Sequence, residues 1–453
     1  MSEKNTSRNH RFVTAEAVRA GHPDKFCDQL ADRLLDECLR VDPNTCAAIE
    51  VMAADGKVLV AGEITTEASV DVERTLKQLC AKVGYTMDEL STDGSLSLEG
   101  RLNQQSPDIA QAVGEGDKLG AGDQGIMAGY ATDETPERMP LPVLLAQKLC
   151  RKLDESRIPW LKPDGKAQVT VQYQDDAPVA VTAVVVSVQH DADVAVETIR
   201  REIKEIIRKV IPEKFLRPST RLLINPSGRF VLGGPAADTG LTGRKLAVDA
   251  YGPVAHIGGG SFSGKDATKV DCTGAYAARW VAKSLVDAGL AKRCEVQIAY
   301  AIGRELPVSV DVETFGTEQG VTRGQIAAAV RKVFDLRREN LPALTAYDEK
   351  LGKSLLDALL TPTRIYVQSV LPLLTQVNVR SICHITGGGF YENIPRALPA
   401  GVSASIQKSS YAVPPIFRKI QAAGDIPERD MYNTFNMGLG LCVIVPREEA
   451  GKA

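Results

Sequence analysis

Strand-like and helix-like segments alternate along this chain, but without the regular rhythm that builds a doubly wound parallel sheet. Cys27 to Arg40 and Val194 to Val210 carry apolar residues at helical spacing. Four other runs are rich in β-branched residues and are typical of strands: KVLVAGEITT, AQVTVQY, PVAVTAVVVSVQ and CEVQIAYAIG. Mixed elements joined by long connections predict domains of the α+β class.

Composition limits the kind of protein this can be. The chain has 453 residues, enough for about three domains. Its 54 basic and 57 acidic residues leave a net charge of −3, so we expect neither nucleic acid nor a membrane as partner. Nine scattered cysteines without a CxxC pair favour free thiols in a reducing compartment. The polar start MSEKNTSRNH and the lack of a long apolar run predict a soluble cytoplasmic protein.

Two glycine-rich stretches resemble nucleotide-binding motifs only in part. GGGSFSGKDATKVD, from Gly258 to Asp271, has P-loop spacing, but Asp266 replaces the hydroxyl residue that should hold magnesium. The preceding DAYGPVAHI also lacks the short buried strand that a P-loop follows. GAGDQG, at 120–125, fits the dinucleotide pattern but follows the polar EGDKL and no strand. Neither standard nucleotide-binding interpretation is favoured.

Other stretches combine glycine with charged residues, and each has an ordinary explanation when taken alone. GHPDK (21–25) is typical of a helix cap, with Pro23 and Asp24 at the helix start. PDGK (163–166) is typical of a turn that carries Lys166. GRFVLGGP and DTGLTGRK lie between 228 and 245. The combination is more informative than any one stretch.

In order, these motifs resemble the methionine adenosyltransferase family, also called S-adenosylmethionine synthetase. The motifs are GHPDK, GEITT, QSPDI, GAGDQG, PDGK, NPSGRF, GGP, DTGLTGRK and GGGSFSGKD. The resemblance covers about Arg11 to Asp335. It implies an α+β fold of three similar sheet-plus-helix domains, expected at 11–110, 121–240 and 241–336, the last of them truncated. It also implies that the stretch from Gly258 is a polyphosphate-binding loop and not a P-loop.

The implied reaction suits the residues. In this family the sulfur of L-methionine attacks C5′ of ATP and expels the triphosphate, which is then hydrolysed to phosphate and pyrophosphate. A thioether has no proton to lose, so no Ser-His or Cys-His pair is needed. The step needs stabilisation of a highly charged leaving group by lysines, arginines and Mg²⁺. A site rich in Lys, Arg and Asp is therefore expected.

The resemblance also implies roles for individual residues. Around the triphosphate it places the catalytic residues His22, Lys166, Arg244, Lys245 and Lys265. ATP binding is implied for Asp164, Arg229, Phe230, Asp238 and Ser261, with Phe230 suited to stack on adenine unless it is a core residue of a strand. Methionine binding is implied for Glu63, Gln105, Asp123 and Lys269. Mg²⁺ ligation is implied for Asp24 and Asp271, and K⁺ binding for Glu50.

The family resemblance has consequences beyond single residues. It implies a homodimer or homotetramer with sites at the subunit interface, and a mobile gate from Gln105 to Gly122. Four positions depart from the family's usual pattern. Ile257 stands where a histidine is expected, with His256 one position earlier, Ser261 replaces an alanine, and Cys272 replaces an arginine.

After Asp335 a second resemblance begins. LLTPTRIYVQSVLPLL, HITGGGFYENIPRALP, PPIFRKIQ and MYNTFNMGLGLCVIVP resemble the C-terminal part of phosphoribosylformylglycinamidine cyclo-ligase, a purine-pathway enzyme. This implies an α/β half-domain over 337–453, without that enzyme's ATP-binding half. Gly387 to Gly389 is either a tight loop or a retained phosphate site. Three functions remain open: a synthetase with an appended domain, a catalytically impaired hybrid, and a cyclo-ligase fragment.

Overall fold

The computed structural model describes residues 10–106, 120–334, 336, 347–359, 361, 362 and 364–452. The chain divides into two compact units, with the boundary between Arg338 and Glu339.

The first unit contains eleven described strands and seven described α-helices. The strands are β1 (His10–Val18), β2 (Cys46–Ala54), β3 (Lys57–Thr65), β4 (Ser97–Asn103), β5 (Gly125–Thr132), β6 (Leu161–Gln174), β7 (Ala177–His190), β8 (Arg221–Ile224), β9 (Gly240–Leu241), β10 (Arg293–Tyr300) and β11 (Ser309–Glu313). The helices are α1 (Pro23–Val41), α2 (Val72–Val83), α3 (Leu141–Asp154), α4 (Val196–Val210), α5 (Leu246–Asp249), α6 (Val270–Asp287) and α7 (Arg323–Val333). Short 3₁₀ helices cover Asp88–Leu90, Glu213–Phe215 and Gly234–Ala236.

The strands of the first unit form three sheets, and each sheet takes a strand from a distant part of the chain. Their orders are β1-β6-β7-β8, β4-β3-β2-β9 and β11-β10-β5. In the first sheet β1 runs antiparallel to β6, with Val18 opposite Lys166. In the second, β9 pairs with β2, and in the third, β5 pairs with β10. Segments far apart in sequence therefore meet within each sheet.

Helices cover one face of each sheet and form three separate cores. In β2 the buried residues alternate, so that Ala47, Ile49 and Val51 pack against α1 and α2. Glu50 lies on the opposite face, because successive side chains of a strand alternate. The sheet β4-β3-β2-β9 thus has a core face against helices and a second face that carries charged side chains.

The predicted helices and strands are largely confirmed. Helix α1 covers the predicted span and begins at Pro23. Helix α4 begins at Val196 instead of Val194, with Ala195 as its N-cap. The four predicted strands are β3, β6, β7 and β10.

The prediction of a turn at PDGK is wrong, because this stretch lies inside β6. Its local turn propensity is overridden by pairing with strands on both sides: Lys166 lies opposite Val18 of β1 and Ser187 of β7. The register with β7 shifts between Leu161 and Gly165, so the proline, aspartate and glycine occupy an irregular part of the strand.

The second unit has a small core of its own. Its strands are β12 (Tyr347–Asp348), β13 (Lys353–Ser354), β14 (Ser381–His384) and β15 (Leu441–Ile444), paired as β12-β13 and β14-β15. Its helices are α8 (Leu355–Leu359), α9 (Val367–Gln376), α10 (Gly389–Arg396), α11 (Pro415–Gly424) and α12 (Glu428–Thr434), with 3₁₀ helices at Lys408–Ser410 and Arg447–Glu449. Phe390, Ile394 and Met431 are buried at the centre of this core.

Two expectations about the whole chain can be compared with the structure. All nine cysteines are free thiols, which agrees with the prediction that they form no disulfide framework. Among the described helices, none combines the length and apolar character that crossing a membrane requires.

Candidate active site

The N-terminus of α1 holds a buried histidine and a buried aspartate. His22 is the N-cap residue, and its Nδ1 accepts a hydrogen bond from the backbone amide of Asp24 at 3.2 Å. Pro23 occupies the first turn, where a missing amide hydrogen costs nothing. The side chains of His22 and Asp24 are only 4% and 3% exposed. GHPDK is therefore a helix cap, as its ordinary interpretation predicted, and it also places two polar groups in a confined environment.

Asp24 forms ion pairs with two basic side chains of the segment that follows β9. Its Oδ2 accepts a hydrogen bond from Nζ of Lys245 at 2.5 Å, and Nη1 of Arg244 lies 3.7 Å from Oδ1. The amide of Leu241 donates to Oδ1 at 3.0 Å. Burial would raise the pKa of Asp24, but the hydrogen bonds from Lys245 and Leu241 outweigh it and lower the pKa. Asp24 is therefore ionised and fixes the position of Lys245.

The same cations keep His22 neutral. Burial, followed by the positive charges of Lys166 and Lys245, lowers the pKa of His22 to about 4, against smaller opposing effects of Asp24 and Asp238. Since Nδ1 accepts the Asp24 amide, the ring hydrogen of the neutral imidazole lies on Nε2. Six of the residues implied by the family resemblance are thus brought together in one chain: His22, Asp24, Lys166, Asp238, Arg244 and Lys245.

Asp164 anchors the loop that follows β8. Its two carboxylate oxygens accept hydrogen bonds from the amides of Gly165 and Gly234, at 2.6 and 2.9 Å. Gly234 has φ +66°, and a Cβ there would lie 2.4 Å from Oη of Tyr85. That hydroxyl donates to the carbonyl of Gly21 at 2.8 Å. The chain of contacts ties this loop to the residues before α1.

Phe230 lies in this loop, half-buried, and not in a strand. The alternative that it is a strand core residue is therefore wrong. Its amide donates to Nε2 of His190 at 3.0 Å, and the His190 amide donates to its carbonyl at 2.9 Å. Asp238, farther along the loop, is exposed, and its amide donates to the Gly234 carbonyl at 3.2 Å. The loop thus carries Phe230 together with the exposed side chains of Arg229 and Asp238.

The glycine-rich loop from Gly258 runs along the open edge of β2. The amide of Ile49 donates to the Gly264 carbonyl at 2.9 Å, and Lys265 forms an antiparallel bridge with Ala48. Gly264 has φ +74°, and a Cβ there would lie 2.2 Å from the Ile49 carbonyl oxygen, so glycine is required. Helix α5 and turns precede the loop where a P-loop would have a strand, and α6 begins only at Val270. The rejection of a P-loop is confirmed.

The contacts of Asp266 explain why an acidic residue stands where the P-loop pattern has a hydroxyl residue. It is 3% exposed, and its Oδ2 accepts a hydrogen bond from the amide of Ala47 at 2.7 Å. Nζ of Lys269 lies 3.8 Å from the same oxygen. The carboxylate therefore fastens the loop to β2.

Lys265 and Asp271 form the second charged pair of the site. Nζ of Lys265 donates to Oδ2 of Asp271 at 2.8 Å, and both side chains are at most one-fifth exposed. Gly260 packs directly on the carboxylate, since a Cβ there would lie 1.9 Å from Oδ1. Ser261 packs against Gly243 of the segment that carries Lys245. This contact joins the glycine-rich loop to the segment that carries Lys245.

Of the residues implied for methionine binding, Glu63 lies within a strand, Gln105 and Asp123 lie next to strands, and Lys269 is the N-cap of α6. Glu63 of β3 lies opposite Ala48, and Ala48 lies beside Lys265 on its other side. Paired residues point to the same face, so Glu63 and Lys265 flank the small Ala48 on the face away from α1. Gln105 follows β4, and its amide donates to Oγ1 of Thr65 at 3.4 Å.

Asp123 precedes β5, in the third sheet, and its Oδ1 accepts the Gln124 amide at 2.7 Å. The expected gate from Gln105 to Gly122 lies mostly outside the described residues, because these resume only at 120. The last glycine of GAGDQG, Gly125, begins strand β5 and not a helix, which confirms that the stretch is not a dinucleotide fingerprint.

Sequence interpretation missed a row of aspartates on α1. Asp24, Asp28 and Asp32 are spaced by four residues, and their carboxylates accept hydrogen bonds from the amides of Leu241, Gly243 and Gly264. The distances are 3.0, 2.9 and 2.8 Å. One helix therefore fastens both the segment that carries Lys245 and the loop that carries Lys265. The signal was visible, since an acidic residue at every fourth position lies on one face of a helix.

Two of the four positions that depart from the family pattern, His256 and Cys272, make local contacts. Nδ1 of His256 lies 2.7 Å from Oε1 of the buried Glu295, and Ile257 is 39% exposed. Sγ of Cys272 donates to the carbonyl of Phe262 at 3.2 Å, so the buried thiol also holds the glycine-rich loop. None of these contacts disrupts the pair of Lys265 and Asp271.

The carboxylates fit magnesium only together with a phosphate ligand. Asp24 and Asp271 are each paired with a lysine, and among the described residues no three His, Cys, Asp or Glu side chains form a metal-binding group. Mg²⁺ is usually held by one or two carboxylates plus phosphate oxygens and water, which these two residues can provide. Glu50 lies on the face away from α1, where burial raises its pKa and Lys265 opposes that effect.

The TGGG loop of the second unit is a closed turn. The side-chain amide of Asn393 donates to the carbonyls of Thr386, Gly387 and Gly389 at 3.3, 3.1 and 2.8 Å. Gly389 has φ +55°, and a Cβ there would lie 2.1 Å from the Tyr432 carbonyl oxygen. Tight packing therefore explains Gly389, whereas a Cβ at Gly387 would meet nothing within 4 Å.

Comparisons with known proteins agree with both sequence resemblances. Residues 10–107, 118–230 and 232–349 match the models of the N-terminal, central and C-terminal domains of S-adenosylmethionine synthetase. Residues 317–453 match the model described as AIR synthase related protein, C-terminal domain. The last two matches overlap at 317–349.

Two curated relatives are similar over most of their own length. S-adenosylmethionine synthase 1 of Rhodospirillum rubrum is 50% identical over 354 residues, which cover 74% of this chain and 92% of the relative. S-adenosylmethionine synthase of Bifidobacterium adolescentis is 48% identical over 352 residues, covering 72% of this chain and 87% of the relative.

Proposed function

Because the chain belongs to the S-adenosylmethionine synthetase family, we propose that the charged groups around α1 hold ATP for attack by methionine. The chain is a methionine adenosyltransferase, which forms S-adenosylmethionine from L-methionine and ATP. The observation that carries the assignment of the site is the convergence of Lys166, Arg244 and Lys245 on His22 and Asp24.

The chemical step forms a bond between the methionine sulfur and C5′ of ATP, while the bond from C5′ to the triphosphate oxygen breaks. Its electron pair stays on the triphosphate, so negative charge develops there and no proton transfer is required. Lys166, Arg244, Lys245 and Lys265 are fixed in advance by carboxylates and strands, and they stabilise this charge without large rearrangement. The expelled triphosphate is hydrolysed to phosphate and pyrophosphate before release.

His22 acts as a neutral hydrogen-bond donor. Its pKa of about 4 keeps the imidazole uncharged at neutral pH, and its Nε2–H is directed away from the Asp24 amide. A donor of this kind can bind the oxygen of the leaving triphosphate in the transition state.

The loop after β8 binds the nucleoside. Phe230 is held by backbone contacts with His190, which leaves its half-buried ring available to stack on adenine. Arg229 and Asp238 are exposed on the same loop, and Asp164 sets its position through Gly234. Ser261 contributes from the glycine-rich loop.

Methionine is bound by groups of both signs. Glu63 receives the amino group, Lys269 receives the carboxylate, and Gln105 and Asp123 complete the pocket. Glu63 lies on the sheet face away from α1, whereas His22 and Asp24 belong to α1 itself. A second copy of the chain, packed on this outer face, brings the two halves of the site together, so the active form is a homodimer or a pair of such dimers.

Asp24 and Asp271 would hold magnesium together with phosphate oxygens, and Glu50 would hold potassium. When bound, Mg²⁺ neutralises charge on the triphosphate oxygens. Each aspartate must then share its lysine partner with phosphate, which keeps Lys245 and Lys265 close to the leaving group.

The second unit is an appended domain without cyclo-ligase activity, and we place the enzyme in the cytoplasm because its nine free thiols suit a reducing compartment. The deciding experiment incubates purified protein with ATP, L-methionine, Mg²⁺ and K⁺. It should yield S-adenosylmethionine, phosphate and pyrophosphate, and omission of Mg²⁺ should abolish the reaction. ATP consumption that is independent of methionine, with no sulfonium product, would show a catalytically impaired hybrid.

A further inference from the structure

A basic groove lies on the first unit between α4 and β8. Its volume is about 790 Å³. Arg200, Lys204 and Arg208 line one wall and are spaced by four residues, which places them in a single stripe along α4. Arg217 lines the opposite side, and no carboxylate is among the described lining residues. The groove therefore carries four basic side chains.

These charges are largely unneutralised within the described chain. Arg208 pairs with Glu205 at 2.8 Å, whereas Arg200, Lys204 and Arg217 have no ion pair among the described residues. Nε of Arg200 donates to the Ile224 carbonyl at 3.3 Å, and Nη2 of Arg217 donates to the Val179 carbonyl at 3.2 Å. Backbone carbonyls hold these two arginines in place but do not cancel their charge.

The groove also borders an open sheet edge. β8 is the last strand of the sheet β1-β6-β7-β8 and pairs in parallel with β7 alone among the described strands. The Asn225 amide donates to the Val186 carbonyl of β7. Since backbone groups of successive residues alternate in direction, those of Leu222 and Ile224 face the open edge. The Arg200 bond to Ile224 agrees with this orientation.

We propose that this groove binds an acidic peptide segment in extended conformation, which adds to β8 as a further strand. The amide and carbonyl of Leu222 and the amide of Ile224 supply hydrogen bonds, as in other cases of strand addition. Acidic side chains at alternate positions of the added strand face the stripe of Arg200, Lys204 and Arg208, because alternate residues of a strand share a face.

The groove floor favours a peptide over a small inorganic anion. Ile207 is buried there, and Leu216 and Leu222 are half-buried. The aliphatic stems of the peptide's acidic side chains can lie against this floor while their carboxylates meet the cations. Phosphate or triphosphate would use the cations alone.

The test uses the full chain and a fluorescein-labelled six-residue peptide of alternating valine and glutamate, followed by fluorescence anisotropy. The unaltered chain should bind this peptide and not its valine–lysine counterpart. The double variant Lys204→Glu/Arg208→Glu should weaken binding about tenfold or more, because it replaces two of the four cations of the groove with carboxylates that repel the peptide. The charge-matched control Arg201→Glu/Lys209→Glu changes exposed residues of α4 outside the groove and should bind nearly as well as the unaltered chain.

A second probe separates strand addition from general anion binding. N-methylation of alternate peptide amides removes the donors that pair with β8, and it should reduce binding about tenfold while leaving all charges in place. Inorganic triphosphate should compete poorly. No detectable peptide binding, equal binding by the N-methylated peptide, or displacement by triphosphate at equal concentration would each overturn the proposal. Both double variants should retain turnover and tryptophan fluorescence, which excludes loss of fold as the cause.

Discussion

Replacement of His22 by asparagine should remove a defined part of the protein's sensitivity to acid. The folded pKa of His22 is about 4, against an ordinary value of 6.5. A lowered folded pKa means that the unfolded chain binds the proton first, so stability is lost as pH falls from 6.5 towards 4. The asparagine side chain cannot titrate, yet its oxygen can still accept the Asp24 amide, and asparagine is a favourable N-cap residue.

The size of the effect follows from these two values. Between pH 7.5 and 5 the unfolded imidazole becomes almost fully protonated, whereas the folded one stays mostly neutral. Protonation of the unfolded imidazole alone therefore raises the equilibrium constant for unfolding by a factor of about 30. This corresponds to a loss of about 2 kcal/mol in the free energy of unfolding. His22→Asn should be spared this loss, although other groups will still change the stability of both proteins with pH.

The assay is urea unfolding of ligand-free protein in EDTA, at pH 7.5 and pH 5, followed by tryptophan fluorescence. Both tryptophans, Trp160 and Trp280, belong to the first unit, so the signal reports the unit that contains His22. His10→Asn, which changes an exposed histidine, is the matched control and should follow the unaltered chain. If His22→Asn and the unaltered chain lose the same free energy of unfolding between the two pH values, the reasoning about His22 is wrong.

Three further changes test other parts of the site. Lys265→Ala should lower kcat about a hundredfold, because loss of one charge-stabilising donor costs roughly 3 kcal/mol in the transition state; near-normal kcat with only a raised KM for methionine in steady-state kinetics would remove Lys265 from this role. Gly260→Ala should lower turnover at least tenfold, since its Cβ would lie 1.9 Å from Oδ1 of Asp271, whereas Gly259→Ala, with nothing within 4 Å, should be nearly neutral in the same assay. Replacing the chain after Asp335 with a family-type closing segment should raise the melting temperature and turnover, and the unmodified chain should form no aminoimidazole ribonucleotide. Equal melting temperature and turnover in the two chains would contradict the view that the second unit is only an appended domain. Detectable aminoimidazole ribonucleotide would contradict the view that it is inactive.

Local patterns predicted the regular elements well. Burial on one side produces the apolar spacing of Cys27 to Arg40 and the β-branched runs of β6 and β7. The structure shows that one side of this helix and of these strands is buried. PDGK was predicted wrongly because its strand conformation depends on two partners, β1 and β7, that lie outside any local window. Propensity is a weak guide where pairing partners are distant in sequence.

The candidate site was predicted as a set of residues but not as an arrangement. His22 and Lys245 are 223 positions apart, and only the pairing of β9 with β2 beside α1 brings them to the same place. The neutral state of His22 could not be predicted either, because it results from burial and from Lys166 and Lys245 together.

The aspartate row on α1 connects two segments of the site that belong to separate sequence motifs. Asp28 and Asp32 hold the amides of Gly243 and Gly264, next to Lys245 and Lys265 respectively. A shift of α1 would therefore move both basic groups at once, whereas a change in either loop would move only one. Because stabilisation of the leaving triphosphate depends on charges that are fixed in advance, we infer that residues of α1 that never touch substrate contribute to catalysis as positioning residues. This coupling also explains why the glycine-rich loop can dispense with a P-loop's strand and helix: α1 and β2 give its backbone the support that those elements would otherwise provide.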